Sequence, residues 1–407
     1  MAGHVDRVEL LTLDHISVKY GEPFLTPVPP PKPGSDFLYL VWAPIGYVIG
    51  AIRTVLVLGL TLVYVLLVHG VLSVFCVLPP AHRFATRIVT ALLCRVVLFL
   101  AGFVWIPVEI ISRKRGRGNT VSQQWTPAAG DIIVSNWTSW VELLWLAFRF
   151  NPIFVMPIPE SSVPNAPSTP STPITHTPGR RMGTGSANIA SNARTVAPQI
   201  PIVGFYPVSL LTAIRNTALV PPFPSLKNHR PQSLDDIRKN ADRPLVVFPE
   251  CTTSNGRGLL RFADVFKRSA PVTGHNIFLM SVRYEPATAS CNIFPDAIAP
   301  AARYDPPTTF SLTASHSIPP TALNPLHHLF SLTFSITPSP ISIRLLSPSE
   351  SPSSPLFMAS EVIPGAQDSL TEACSVLIAQ TGKLKRMSLG WEDKSKFLDF
   401  YRGKRSS

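Results

Sequence analysis

Two carboxylates in this chain stand beside hydroxyls, each just beyond an apolar run. Glu250 ends the stretch Pro244-Leu-Val-Val-Phe-Pro-Glu250 and leads into Thr252, Thr253, Ser254, an Asn255-Gly256 pair and Arg257. Glu142 closes Asn136-Trp137-Thr138-Ser139-Trp140-Val141-Glu142, which follows Asp131-Ile-Ile-Val-Ser135. The planar guanidinium of Arg257 matches phosphate oxygens, and Asn255-Gly256 offers backbone donors beside it, so this stretch suits a phosphorylated ligand. Arg215, at the end of Leu210-Leu-Thr-Ala-Ile-Arg215, is a second candidate cation. Cys251 opens a different chemistry, a thiolate nucleophile paired with a histidine. No histidine lies near it in sequence, and cysteine is commonly just a small buried residue.

Such groups need elements to hold them. Residues 245–248 are apolar and β-branched at Val246 and Val247, which predicts a buried strand rather than one face of a helix. Residues 131–135, 152–156, 200–208 and 276–284 read as further strands. Helices are expected over 141–150, 209–216 and 233–238, the last with Ser233 as its cap. Strands separated by helices predict an α/β fold with a largely parallel sheet. Both carboxylates then leave the sheet at the carboxyl ends of its strands, where ligands of such sheets bind.

The block Phe248-Pro249-Glu250-Cys251-Thr252-Thr253-Ser254-Asn255-Gly256-Arg257 resembles the substrate-binding Phe-Pro-Glu-Gly-Thr block of the glycerolipid acyltransferases, the family that includes lysophosphatidic acid acyltransferase. The similarity is to the fungal branch of that family, and it runs in patches over 125–290 and near Trp391. It implies a glycerolipid acyltransferase-type fold, acyl-CoA as co-substrate, and no bound cofactor or metal. It also implies a lysophospholipid acceptor, foremost lysophosphatidic acid, which would become phosphatidic acid. Two positions depart from the pattern. Cys251 stands where the family has glycine. Where the family has Asn-His-x-x-x-x-Asp, this chain keeps Asn136 but has Trp137 for the histidine and Glu142 for the aspartate. In the family the histidine takes the proton of the acceptor hydroxyl and the carboxylate orients it. An indole N–H only donates, so Trp137 is no base. Glu142 is therefore expected to serve as base, directly or through a water. Its plainer role is that of a carboxylate at a helix N-terminus. The expected site has Glu142 and Glu250 as catalytic groups. Asn136, Trp137, Ser139, Thr252, Thr253, Arg257 and Arg215 are its substrate-binding groups. The alternative is a catalytically inactive relative that binds lipid and serves membrane trafficking or lipid homeostasis.

The whole chain agrees with a lipid setting. Its 407 residues carry 36 Lys+Arg against 24 Asp+Glu, a balance that suits an anionic partner. No aromatic-basic motif or zinc spacing speaks for nucleic acid. Five scattered cysteines without a C-x-x-C exclude a disulfide framework and a zinc site. Residues 1–36 read as a flexible arm and 37–112 as membrane-anchoring helices. Within the latter, 54–78 is long enough to cross a hydrocarbon core of about 30 Å, and 37–52 suits the interface. Residues 88–111 form a second apolar segment, spanning or dipping into one leaflet, from which Arg95 would snorkel to the headgroups. Arg113, Lys114, Arg115 and Arg117 follow, and place the next part in the cytosol. Endoplasmic reticulum membrane or lipid droplet is the expected location. The acyltransferase domain then covers 125–290, with a disordered insertion at 157–198. Residues 291–407 read as a Pro/Ser/Thr-rich extension, with 329–343 as an edge hairpin and helices over 368–380 and 391–401.

Overall fold

The computed structural model of the protein describes residues 24, 36–72, 78–112, 124–160, 198–226, 229–267, 272, 274–284, 324–334, 341–355, 357 and 368–405. In chain order its elements begin with α1 (Asp36–Val65), α2 (Pro79–Leu100), β1 (Val108–Ile111), β2 (Ile132–Ser135), α3 (Val141–Phe150) and β3 (Ile153–Pro159). Next come β4 (Ile202–Val208), α4 (Leu210–Asn216), α5 (Leu234–Lys239), β5 (Leu245–Val247) and β6 (Gly258–Leu259). The last are β7 (Ile277–Tyr284), α6 (Pro325–Phe334), β8 (Ile341–Leu346), α7 (Ser369–Gly382), β9 (Lys385–Arg386) and α8 (Trp391–Arg405).

Seven strands form one sheet in the order β1-β8-β7-β2-β5-β3-β4. The middle four are parallel, and β2 and β5 are buried at every position, as two-sided coverage requires. Ile132 pairs with both Leu245 and Ile277, so β2 and β5 run in step and their loops emerge together. The flanks reverse direction: β4 runs antiparallel to β3, β8 antiparallel to β7, and β1 parallel to β8. The result is a mostly parallel mixed sheet with flanking helices. Because side chains alternate across a strand, Ile133, Phe154, Val246, Phe278 and Met280 face one core with α2, α3 and α4. Ile132, Val134, Leu245, Val247 and Leu279 face the other, with α7. There α7 approaches the sheet so closely that a Cβ on Gly382 would collide with Ser281 Oγ.

Serines 209 and 233 and Asp368 cap α4, α5 and α7 through bonds to the first-turn N–H groups, which is why these helices begin where the sequence predicts. Other boundaries need correction. Residues 88–111 are not one apolar helix. α2 begins at Pro79, a residue suited to a first turn, and ends at Leu100, and β1 then joins the sheet edge. Arg95 does not snorkel: its guanidinium donates to the carbonyls of Phe103 (3.2 Å) and Val104 (2.7 Å), satisfying backbone beyond the helix end. Residues 329–343 form no hairpin, since α6 occupies Pro325–Phe334 and β8 pairs with β7. Nor is 291–407 wholly an extension, because β8, α7 and α8 complete the sheet and its second face. The expected insertion at 157–198 does not begin at 157, because β3 runs through Pro159 and pairs with β4; its residues 161–197 lie outside the described residues, as do 1–23 and 25–35. Phe24 is buried, against Phe397 among others.

Among the described residues one helical stretch, Pro44–Val68, is long and apolar enough to cross a membrane by length and composition, and only 6% of its most apolar part is buried. The helix runs unbroken through the expected boundary at 52–54, with Pro44 in its interior. On its inner side Arg53 donates to the Thr333 carbonyl of α6 (3.3 Å), and Thr54 bonds the Thr333 hydroxyl (2.8 Å). α2 buries Leu93, Cys94, Val97 and Leu98 on one face, yet exposes Phe84, Ile88, Leu92 and Phe99 on another.

Candidate functional site

The loop after β2 carries Asn136 to Trp140 into α3, and the loop after β5 carries Phe248 to Ser254. They meet at one edge of the sheet because their strands end in step. The side chain at the start of α3 supplies no cap. The Val141 N–H donates instead to Ser139 Oγ (3.1 Å), and Glu142, in the first turn, reaches back to the loop: Oε1 accepts from the Ser139 N–H (2.6 Å) and the Thr138 N–H, and Oε2 from the Ser139 hydroxyl (3.2 Å). Glu250 reaches across from the other loop, where Oε2 accepts from the Trp137 N–H (2.6 Å) and Oε1 from the Leu260 N–H (2.8 Å). Three consecutive N–H groups, those of Trp137, Thr138 and Ser139, are thus held by two buried carboxylates. The Ser254 N–H returns the link to the Trp137 carbonyl at 2.9 Å.

Asn136 bridges β2 to β7, its amide exchanging two bonds with the Val282 backbone at 2.9 and 2.8 Å. It acts as a side-chain peptide group where the strand pairing ends. Trp137 is fully buried, stacked on Phe248 with centroids 5.0 Å apart, and its indole N–H donates to the Ser139 carbonyl (3.1 Å). Cys251 has φ of 57°, in the left-handed region that favours glycine. A cysteine holds this backbone shape at some strain. Its thiol is buried, and burial pushes it well above the ordinary range, which disfavours the thiolate route.

Thr252 donates its hydroxyl to the Leu219 carbonyl (2.9 Å) and accepts from Lys394 Nζ (3.0 Å), which also reaches Thr253. Lys394 comes from α8 and was signalled by no motif. Burial pushes the Glu250 carboxyl up to about 8, against the Trp137 and Leu260 bonds that lower it. Burial also pushes the Lys394 ammonium down to about 7, with Glu250 opposing the shift. The two predicted cations lie apart from this buried cluster. Arg257 is exposed, and its own N–H donates to Asn255 Oδ1 (3.1 Å). Arg215 is exposed on the last turn of α4, where it lines an apolar cavity.

That cavity, about 450 Å³ and partly open, is lined by α1, α2, α3, α4 and α6. Val57, Leu93, Trp140, Leu144 and Leu329 are among its walls, and Arg215 is its one charged residue among the described ones. Trp140 is the joint between the Trp137–Ser139 turn and α3. Its indole N–H donates to Nδ1 of the buried His328 on α6 (3.0 Å), which holds α6 over the cavity. His328 is a contribution that sequence distance concealed. The lining suits an aliphatic chain, and the lone guanidinium suits an anionic group at its end.

Set against protein-family models, curated proteins and solved structures, the chain matches none of them. The fold and site define an α/β protein with one long apolar helix, a sheet edge carrying two buried carboxylates, and an apolar cavity beside that edge.

Proposed function

We propose that the chain is a membrane-bound O-acyltransferase that moves a fatty acyl group from acyl-CoA to the hydroxyl of a lysophospholipid, foremost lysophosphatidic acid, giving phosphatidic acid. The observation that carries this reading is the junction of the two loops beside the cavity. Glu250 holds the Trp137 N–H, and Trp140, three residues on, walls a space suited to an acyl chain. Arg215 on the cavity lining supplies the cation for the acceptor's phosphate. In this reading the acceptor oxygen attacks the thioester carbonyl carbon, and its proton passes to Ser139 Oγ. Ser139 gives its own proton to Glu142 Oε2, the C–S bond breaks, and the departing thiolate of coenzyme A regains a proton. Glu142 therefore acts through the hydroxyl it already holds at 3.2 Å. Membrane seating is supported by the bare apolar side of α1, by the outer stripe of α2, and by Trp105, which is 80% exposed. A cytosol-facing site on the endoplasmic reticulum or a lipid droplet agrees with this seat.

A second reading, a lipid-binding relative without turnover, is favoured by one observation: Trp137, Ser139, Glu142 and Glu250 are all sealed from solvent. Purified protein in lipid nanodiscs, given labelled oleoyl-CoA and a panel of lysophospholipids, separates the two. Transfer of label to lysophosphatidic acid supports the enzyme. Saturable binding of that lipid with no transfer establishes the binder and removes the enzyme.

A further inference from the structure

Lys394 lies in the first turn of α8 and is 6% exposed. Its Nζ donates to Thr253 O (2.7 Å), Thr252 Oγ1 (3.0 Å) and Thr253 Oγ1 (3.1 Å). Three ammonium hydrogens meet three oxygens, and none of them belongs to a carboxylate. Burying an ammonium without a direct counter-ion is costly, because the charge loses its water. A methionine would fill the same volume without that cost, so the charge must hold something in place. What it holds is the pair of residues just beyond Glu250 and Cys251. Through Thr252 the link continues to the Leu219 carbonyl, in the loop that follows Arg215 on α4. The neighbouring charges have other work. Glu392 accepts from the Ile200 N–H and pairs with Arg261 at 3.1 Å, and Asp393 caps the Gly390 N–H.

We propose that Lys394 is a positioning residue of the acyl-transfer site: its ammonium sets the Thr252–Thr253 turn and, through Thr252, the loop behind Arg215. The inference rests on the acyltransferase reading above. A neutral amine has only two hydrogens to give, so the three-bond arrangement requires the charged form. The charged group that acts on Lys394 is Glu250 from the β5 loop, with Glu142 of α3 beyond it; Glu392 and Asp393 precede it on its own helix, Glu392 paired with Arg261. Its ammonium, held near 7, makes the arrangement loosen as pH rises past neutrality.

The test compares wild type with Lys394→Met and Lys394→Arg, full chains in nanodiscs. The readouts are transfer from oleoyl-CoA to lysophosphatidic acid between pH 5.5 and 9, and amide hydrogen exchange over 251–255. Lys394→Met is expected to lower kcat about ten- to a hundredfold, the scale of an ångström-sized misplacement. It should also flatten the alkaline fall in rate and speed exchange at 251–255; Lys394→Arg should restore part of the rate and of the protection while the alkaline limb stays flat, since a guanidinium keeps its charge over this range. Wild-type kcat, pH profile and exchange in Lys394→Met would overturn the assignment. Should wild type transfer nothing, the acyltransferase reading fails on its own. Exchange at 251–255 then decides Lys394, and no change in the methionine variant refutes it. If that variant does not fold, wild-type exchange decides: protection at 251–255 that weakens between pH 6 and 8, after correction for intrinsic rates, supports the role, and a flat profile overturns it.

Discussion

Replacing Glu142 by glutamine separates the two jobs given to its carboxylate. Oε1 holds the Thr138 and Ser139 N–H groups and Oε2 holds the Ser139 hydroxyl. A glutamine oxygen keeps both N–H bonds, and the hydroxyl can turn to accept from the new NH2. What is lost is charge assistance. Bonds to a charged group contribute about 1.5–3 kcal/mol and neutral ones about 0.5–1.5, so weakening two or three of them costs about 2–3 kcal/mol. For a domain of this size that lowers Tm by roughly 4–12 °C. Alanine is different in kind, since two buried N–H groups lose their acceptor at about 1–3 kcal/mol each. The sum approaches the whole stability of a marginal domain, about 5–15 kcal/mol. Thermal melts and single-turnover transfer, measured on the same preparations below the variant's Tm, read out both effects. Glu142→Gln should remain folded, bind lysophosphatidic acid and turn over about 10²–10⁴-fold more slowly. Ser139→Ala should match it in rate, because the proton passes through that hydroxyl. A folded Glu142→Gln protein with wild-type turnover would show that the carboxylate only staples the turn, and the base assignment would fall.

Glu250, raised to about 8 from 4.5, binds its proton more tightly in the folded state. Its stabilisation is therefore present below pH about 4.5 and is lost as pH rises through 8. The Tm difference between wild type and Glu250→Gln should accordingly be most favourable to wild type near pH 4.5 and shrink toward pH 8. A constant difference would refute it. At Cys251, held at φ 57°, glycine should be more stable than alanine by about 1 kcal/mol in denaturant melts, since only glycine relieves the left-handed strain. Equal stability would mean that the backbone relaxes. Arg215→Ala should weaken lysophosphatidic acid binding about tenfold or more while leaving monoacylglycerol unaffected, a charged bond being lost only for the phosphate. Equal losses for both lipids would remove Arg215 from the phosphate site.

The central strands and the helices α3, α4, α5 and α7 were legible in the sequence because their causes are local. β2 and β5 are short apolar runs with no polar face, α4 and α5 start on a serine, and α7 starts on an aspartate. The meeting of the Glu250 and Glu142 loops was legible too, since it follows from parallel strands in step. What the chain pattern did not reveal depends on partners far away in sequence. β1 and β8 are strands because each borrows an edge, the one from the other and β8 from β7, while alone their residues read as membrane segment or hairpin. Asn136 and Val282 meet across 146 residues, and Lys394 and Thr252 across 142. The cavity draws walls from α1, α2, α3, α4 and α6. Local periodicity records which face of an element is apolar. It carries no record of which distant backbone oxygen a buried ammonium will find, or which N–H groups a buried carboxylate will satisfy. Tertiary packing decided those pairings, because a buried polar group must be matched by whatever the fold brings within about 3 Å.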